Sequence, residues 1–176
     1  MDRDHLLIER FVKGDAQAFD ALIHEHSPKA YGLIFSFVYN RQDAQDLSQE
    51  LWLIVYRSLK SFRFHSSFYT WLYRIAVNLC IRFLKRKKTA LLPDDFDTVE
   101  LNHTKVIESK ETLREIYGAV NKLPDKQRAV FILRNYQDLP YEEISRIVNI
   151  SVSSAKTNYC YAVRKLQNLV SKDVLL

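Results

Sequence analysis

Three glycines and four prolines are all that this 176-residue chain contains. Tight turns draw on glycine for positive φ and on proline for a preset corner, so a sequence this poor in both is unsuited to many short strands folded back on one another. The expectation is an all-α chain. Hydrophobic residues supply 47% of the sequence, enough to fill one ordinary core or two small ones.

Apolar spacing locates the helices. In residues 15–39, Phe19, Leu22, Ile23, His26, Ala30, Leu33, Ile34, Phe37 and Val38 recur at helical intervals, and Pro28 is expected to kink or break the run. Residues 42–60 place Ala44, Leu47, Leu51, Ile54 and Val55 on one face and Asp43, Asp46 and Glu50 on another. From residue 68 to about 87, Phe68, Leu72, Ile75, Leu79 and Phe83 form an inward stripe. Trp71, Arg74, Asn78, Arg82 and Lys85 form an outward one. Residues 89–108 lose this periodicity and carry Pro93 with Asp94, Asp95, Asp97 and Glu100, which reads as a flexible linker. Helical spacing resumes near Ser109. The expected organisation is two small helical domains, residues 1–88 and 109–176, joined by that linker.

The net charge of +5 is unevenly spread. Between Leu51 and Pro93 there is no aspartate or glutamate, against Arg57, Lys60, Arg63, Arg74, Arg82 and the run at 85–88, all interleaved with aromatic rings. Cations without competing carboxylates, beside flat π faces, are what is needed to hold a phosphate backbone while unpaired bases stack. This points to nucleic acid, including single strands.

The second domain has the spacing of a DNA-binding helix-turn-helix. After Leu123-Pro124-Asp125, residues 127–134 are amphipathic through Val130, Phe131 and Leu133; residues 141–148 form a short helix with Ile144 and Val148 inward. A turn at Asn149-Ile150-Ser151 leads into residues 153–169, with Ala155, Tyr159, Ala162, Leu166 and Leu169 inward. Ser145 is small where two helices must approach. Asn149 suits a left-handed turn position, and Ser151 can cap the following helix. Ser153, Ser154, Lys156, Thr157 and Arg164 then face outward, as candidates for base edges and phosphates.

Other classes find less support. Cys80 and Cys160 lack metal-ligand spacing, and the histidines His5, His24, His26, His65 and His103 are scattered. With no glycine-rich phosphate loop and no second ligand set for Asp43, Asp46 and Glu50, neither a metal, a cofactor nor an enzymatic activity is expected. The first residues lack a signal-peptide pattern and no apolar run approaches the roughly 20 residues that span a bilayer. A soluble, cytoplasmic protein without membrane insertion is expected. A helix-turn-helix regulator with a helical sensor domain shares many of these features, but gives its first domain no reason to expose an acid-free aromatic face.

The motifs Gly14-Asp15 with Ala18-Phe19, residues 43–50 (DAQDLSQE), Phe62-Arg63, residues 68–76 (FYTWLYRIA) with Asn78, Leu123-Pro124 and residues 141–144 (YEEI) occur in a telling order. The chain resembles the extracytoplasmic-function sigma factors, which keep only regions 2 and 4 of the sigma-70 family. The resemblance covers nearly its whole length. It implies that Asp43, Asp46, Gln49 and Glu50 meet core RNA polymerase. It further implies that Arg63, Phe64, Ser66, Ser67, Tyr69, Trp71, Arg74, Asn78, Arg82 and Lys85 serve minus-ten recognition, melting promoter DNA and holding its non-template strand. Ser153, Ser154, Lys156, Thr157 and Arg164 would read the duplex near minus thirty-five, and a separate anti-sigma factor is implied as a partner. Of the rings near the minus-ten residues, Phe68 reads as core, and Phe62 and Tyr73 as core ahead of DNA contact. The chain departs from the family pattern at Arg82, where an aspartate is usual, and at Asn158 and Tyr161, where arginines are.

Overall fold

The computed structural model describes residues 3–89 and 110–169; side chains are described up to residue 87 before the gap and from residue 115 after it. The described residues form helices and no strands. They are α1 (Arg3–Val12), α2 (Ala16–Val38), α3 (Arg41–Ser58) followed by a 3-10 turn (Leu59–Ser61), α4 (Phe68–Thr89), α5 (Lys110–Asn121), α6 (Asp125–Asn135), α7 (Tyr141–Val148) and α8 (Val152–Leu169). The chain separates into two compact units, residues 1–91 and 92–176. The expected linker, apart from Thr89, lies outside the described residues.

In the first unit, α2 is the central helix, packed against α1, α3 and α4. Its start is fixed by Asp15, whose carboxylate accepts from the Gln17 N–H at 3.0 Å and pairs with Arg10 at 2.7 Å. The Arg10 hydrogen bond, first among several causes, holds the Asp15 carboxyl below its usual range. At the other end Tyr39 takes a left-handed conformation (φ 48) and its N–H donates to the Phe35 carbonyl, and Asn40 immediately caps α3 by accepting from the Asp43 N–H at 2.9 Å. The corner between two long helices is thus made without glycine. Pro28 does not break the run: α2 continues through it. The ring sits on the exposed face, where the carbonyl that loses its N–H donor can reach water.

The core of this unit joins Ile8, Leu22, Leu33, Ile34, Phe37, Leu51, Leu59, Phe68, Leu72 and Leu79, all fully or almost fully buried. The buried face of α4 is wider than the sequence stripe. Tyr73, Ala76, Val77, Cys80 and Leu84 are buried as well, whereas Ile75 and Phe83 are half-buried. The reason is that α4 lies against both α2 and α3, so two sides of it lose water. Burial also pushes the Tyr73 hydroxyl and the Cys80 thiol well above their ordinary pKa values.

In the second unit α6, α7 and α8 pack on one another and α5 lies against α8. Leu123, Val130, Ile132, Leu133, Ile144, Ile147, Ala155 and Ala162 form its core. Arg128 is 2% exposed, and its guanidinium donates at 2.9 Å to the carbonyl of Asn121, the last residue of α5, and to that of Leu123 in the turn leading to α6. Asn149 ends α7 in the left-handed region (φ 56, ψ 57), its N–H donating to the Ser145 carbonyl. The expected inward Leu169 is instead 37% exposed, because it lies on the last turn of α8, beyond the reach of its neighbours. Val148 and Tyr159 are half-buried.

Candidate functional surfaces

One surface of the first unit runs along α3. Asp46, Gln49 and Glu50 are exposed, with Asp46 accepting a 3.1 Å hydrogen bond from Gln42. Asp43 differs from them. It is half-buried and ion-paired with Lys87 of α4, so its charge is answered within the unit. The exposed stripe continues in apolar form through Leu53 and Tyr56, more than half exposed, and borders an open groove of about 890 Å³ lined by Phe19, Ile23, Tyr31, Gln49, Trp52 and Tyr56. Beneath it the indole N–H of Trp52 is buried without a hydrogen-bond partner. An acidic rim beside an aromatic groove suits a protein partner that carries both cations and apolar side chains.

Another surface is built from residues 62–67 and the outward stripe of α4. Asn78, Arg82 and Lys85 are exposed and Trp71 and Arg74 half-buried, a line about 21 Å long at the helical rise of 1.5 Å per residue. No carboxylate lies in this helix. Trp71 rests on Phe62 and Phe68, at 5.0 and 5.9 Å between ring centroids, so one edge is braced and the other is open. Tyr69 packs on Tyr73 at 4.0 Å. Arg63 is exposed, and Phe64, 39% exposed, has φ 55 and stacks on His5 at 3.8 Å. Ser66 is half-buried, and its hydroxyl donates to the Ser67 carbonyl at 3.3 Å. The Ser67 hydroxyl begins α4, accepting from the Thr70 N–H at 3.2 Å.

The helix-turn-helix of the second unit supplies a further surface. Ser151 caps α8, its Oγ accepting from the Ser154 N–H at 3.1 Å. Ser153, Lys156 and Arg164 are exposed. Thr157 is exposed too, but its hydroxyl donates to the Ser153 carbonyl at 3.0 Å, and Ser154 is half-buried against the capping hydroxyl of Ser151 at 2.9 Å. Lys156 lies 5.9 Å from the centre of the Tyr141 ring and the Arg134 guanidinium 5.3 Å from it, which joins the starts of α7 and α8 into one cationic, aromatic patch.

Family models for sigma-70 region 2 and sigma-70 region 4 match residues 22–89 and 113–166. The RNA polymerase sigma-H factor of Pseudomonas aeruginosa is 36% identical over 169 residues, covering 89% of this chain and 88% of that protein. The ECF RNA polymerase sigma-E factor of Haemophilus influenzae is 31% identical over 180 residues, 95% of each. The chain belongs to the extracytoplasmic-function sigma factors. Such proteins are regulatory subunits of RNA polymerase rather than enzymes. The fold agrees with that of the sigma factor RpoE from Bartonella quintana, solved with the anti-sigma factor NepR. The TM-score is 0.66 at 19% identity, over 88% of this chain and 97% of that one.

Several features of this sigma factor escaped the sequence reading. Leu53 and Tyr56 follow Gln49 at steps of four and three, so their place on the α3 surface was available from spacing alone. The Asp43–Lys87 pair and the His5–Phe64 stack join residues 44 and 59 positions apart, and no local pattern announces them. No helix among the described residues is long and apolar enough to cross a membrane.

Proposed function

We propose that this sigma factor divides its work among the three surfaces just described. The α3 stripe of Asp46, Gln49 and Glu50, extended by Leu53 and Tyr56, docks on core RNA polymerase; Asp43 braces α3 against α4 through Lys87. Arg63, Phe64, Ser66, Tyr69, Trp71, Arg74, Asn78, Arg82 and Lys85 receive the minus-ten region as its strands part, with Ser67 shaping the start of α4. Ser153, Ser154, Lys156, Thr157 and Arg164 meet the minus-thirty-five duplex.

The observation that carries this reading is the two-sidedness of α4, which buries Phe68, Leu72 and Leu79 and turns Trp71, Arg74, Asn78, Arg82 and Lys85 outward. Parting a duplex costs a few kcal/mol per unstacked step, and stacking a base on an aromatic ring returns about 1–3 kcal/mol while cations track the freed backbone. Trp71 and the cations beyond it have that chemistry. An anti-sigma factor is proposed as a separate partner that occludes these surfaces, and the cytoplasm, where polymerase works, as the compartment.

The test is transcription by core polymerase with and without the protein, on promoters mapped from transcripts made when it is overproduced. Trp71→Ala is expected to lose promoter opening, read by permanganate reactivity of unpaired thymines, while core affinity stays near wild type. Unchanged reactivity would remove Trp71 from the melting role, and failure to associate with core would remove the docking assignment.

A further inference from the structure

Phe64 stands in a left-handed backbone conformation, φ 55, which a residue with a large side chain avoids unless its surroundings hold it there. Its chain neighbours Arg63 and His65 are exposed, so the hold comes from elsewhere. The closest ring is that of His5 in α1, stacked nearly parallel at 3.8 Å and 13°; Phe62 meets Phe64 edge-on at 4.9 Å. The imidazole is itself restrained, its Nε2 lying 3.3 Å from a Glu9 carboxylate oxygen one turn on.

The residue before His5 ties α1 down at the same end. Asp4 is buried and hydrogen-bonded to His26 of α2 at 2.8 Å, and the His26 ring packs edge-on against Phe68 at 5.0 Å, the first residue of α4. Leu7, Ile8 and Phe11 anchor the rest of α1 in the core. Two consecutive residues of one helix therefore reach both ends of residues 64–68, His5 directly and Asp4 through His26.

We infer that His5 is a positioning residue for promoter opening: from α1 it holds the Phe64 ring in the strained conformation in which residues 63–67 meet the promoter strand. The inference rests on the proposed strand-contacting role of those residues. A stacked ring is what the role requires, so a phenyl ring at position 5 fulfils it and a methyl group does not.

The experiment compares His5→Ala, His5→Phe and Phe64→Ala in complex with core polymerase on a mapped promoter. It reads permanganate reactivity, core affinity and thermal unfolding of each variant. His5→Ala is expected to lower the fraction of opened promoter roughly two- to tenfold, the loss that one aromatic pair represents. Core affinity stays unchanged, and His5→Phe restores opening. If Phe64→Ala opens the promoter normally, the strand-contacting role is wrong and the inference falls with it. If Phe64→Ala impairs opening while His5→Ala does not, the inference alone is overturned. Failure of His5→Phe to restore opening, with folding intact, overturns it equally, since the ring would then not be what matters.

Discussion

Arg128 shows how far a single residue can depart from what its letter suggests. An arginine within the amphipathic stretch 127–134 reads as a solvated cation, yet it is buried and donates to the carbonyl of Asn121, which ends α5, and to that of Leu123 in the turn that follows. Burial lowers its pKa, partly opposed by Asp125 and Tyr117. Arg128→Met keeps the volume and removes those donors, leaving buried acceptors unsatisfied. Urea unfolding of the second unit should show a loss on the order of 2 kcal/mol. Nothing in the sequence could have revealed this, because the carbonyls that receive the guanidinium carry no residue-specific signature. Asn149 was the opposite case. Asparagine is among the few non-glycine residues that tolerate the left-handed region, so the turn between α7 and α8 was legible from one letter, and φ 56 is the result. Ser151 was equally legible as a cap and performs that role. Phe64 and Tyr39 were not, since a bulky ring at positive φ is held by distant contacts rather than chosen locally.

At the scale of elements, apolar spacing marks α2, α3 and α4 of the first unit and α6, α7 and α8 of the second; for α5 it gives only a resumption near Ser109, and α1 it does not mark. The misjudgements came from assuming that a helix has one inner face. Because α4 is sandwiched, its inward stripe widened to include Ala76, Val77 and Cys80, beside Tyr73, whose place in the core was expected. Leu72→Ala should therefore cost about 2–5 kcal/mol of first-unit stability in denaturant unfolding, although its neighbour Trp71 faces outward. A change at 72 that left the midpoint unmoved would mean that the core is not where the burial places it. On α3 the contrast lies between carboxylates two turns apart, Glu50 and Asp43. Glu50→Lys reverses an exposed charge and should weaken core association measured by native gel or fluorescence titration, with little effect on melting temperature. Asp43→Asn should do the reverse, lowering the melting temperature slightly by releasing Lys87 and leaving core affinity near wild type. The acidic stripe was legible as a stripe; that one of its members is answered from within was not, because Lys87 lies 44 residues away.

At the scale of the molecule, the two units divide the cysteines between them. Cys80 is fully buried, with its thiol pKa raised by burial, whereas Cys160 is exposed on α8. A maleimide should modify one thiol per native chain at neutral pH and two in denaturant, as counted by intact mass; rapid labelling of both under native conditions would contradict the burial of α4. The tryptophans are divided differently, and usefully. The chain has two, and both lie in the first unit: Trp52 under the α3 groove and Trp71 on the outward face of α4. Each proposed docking event therefore has an intrinsic fluorophore of its own. With this chain alone carrying a red-shifted tryptophan analogue, Trp71→Phe leaves emission that reports polymerase arriving at α3, and Trp52→Phe leaves emission that reports a base quenching the indole on α4, so the order of assembly and opening can be timed in one cuvette without an attached dye.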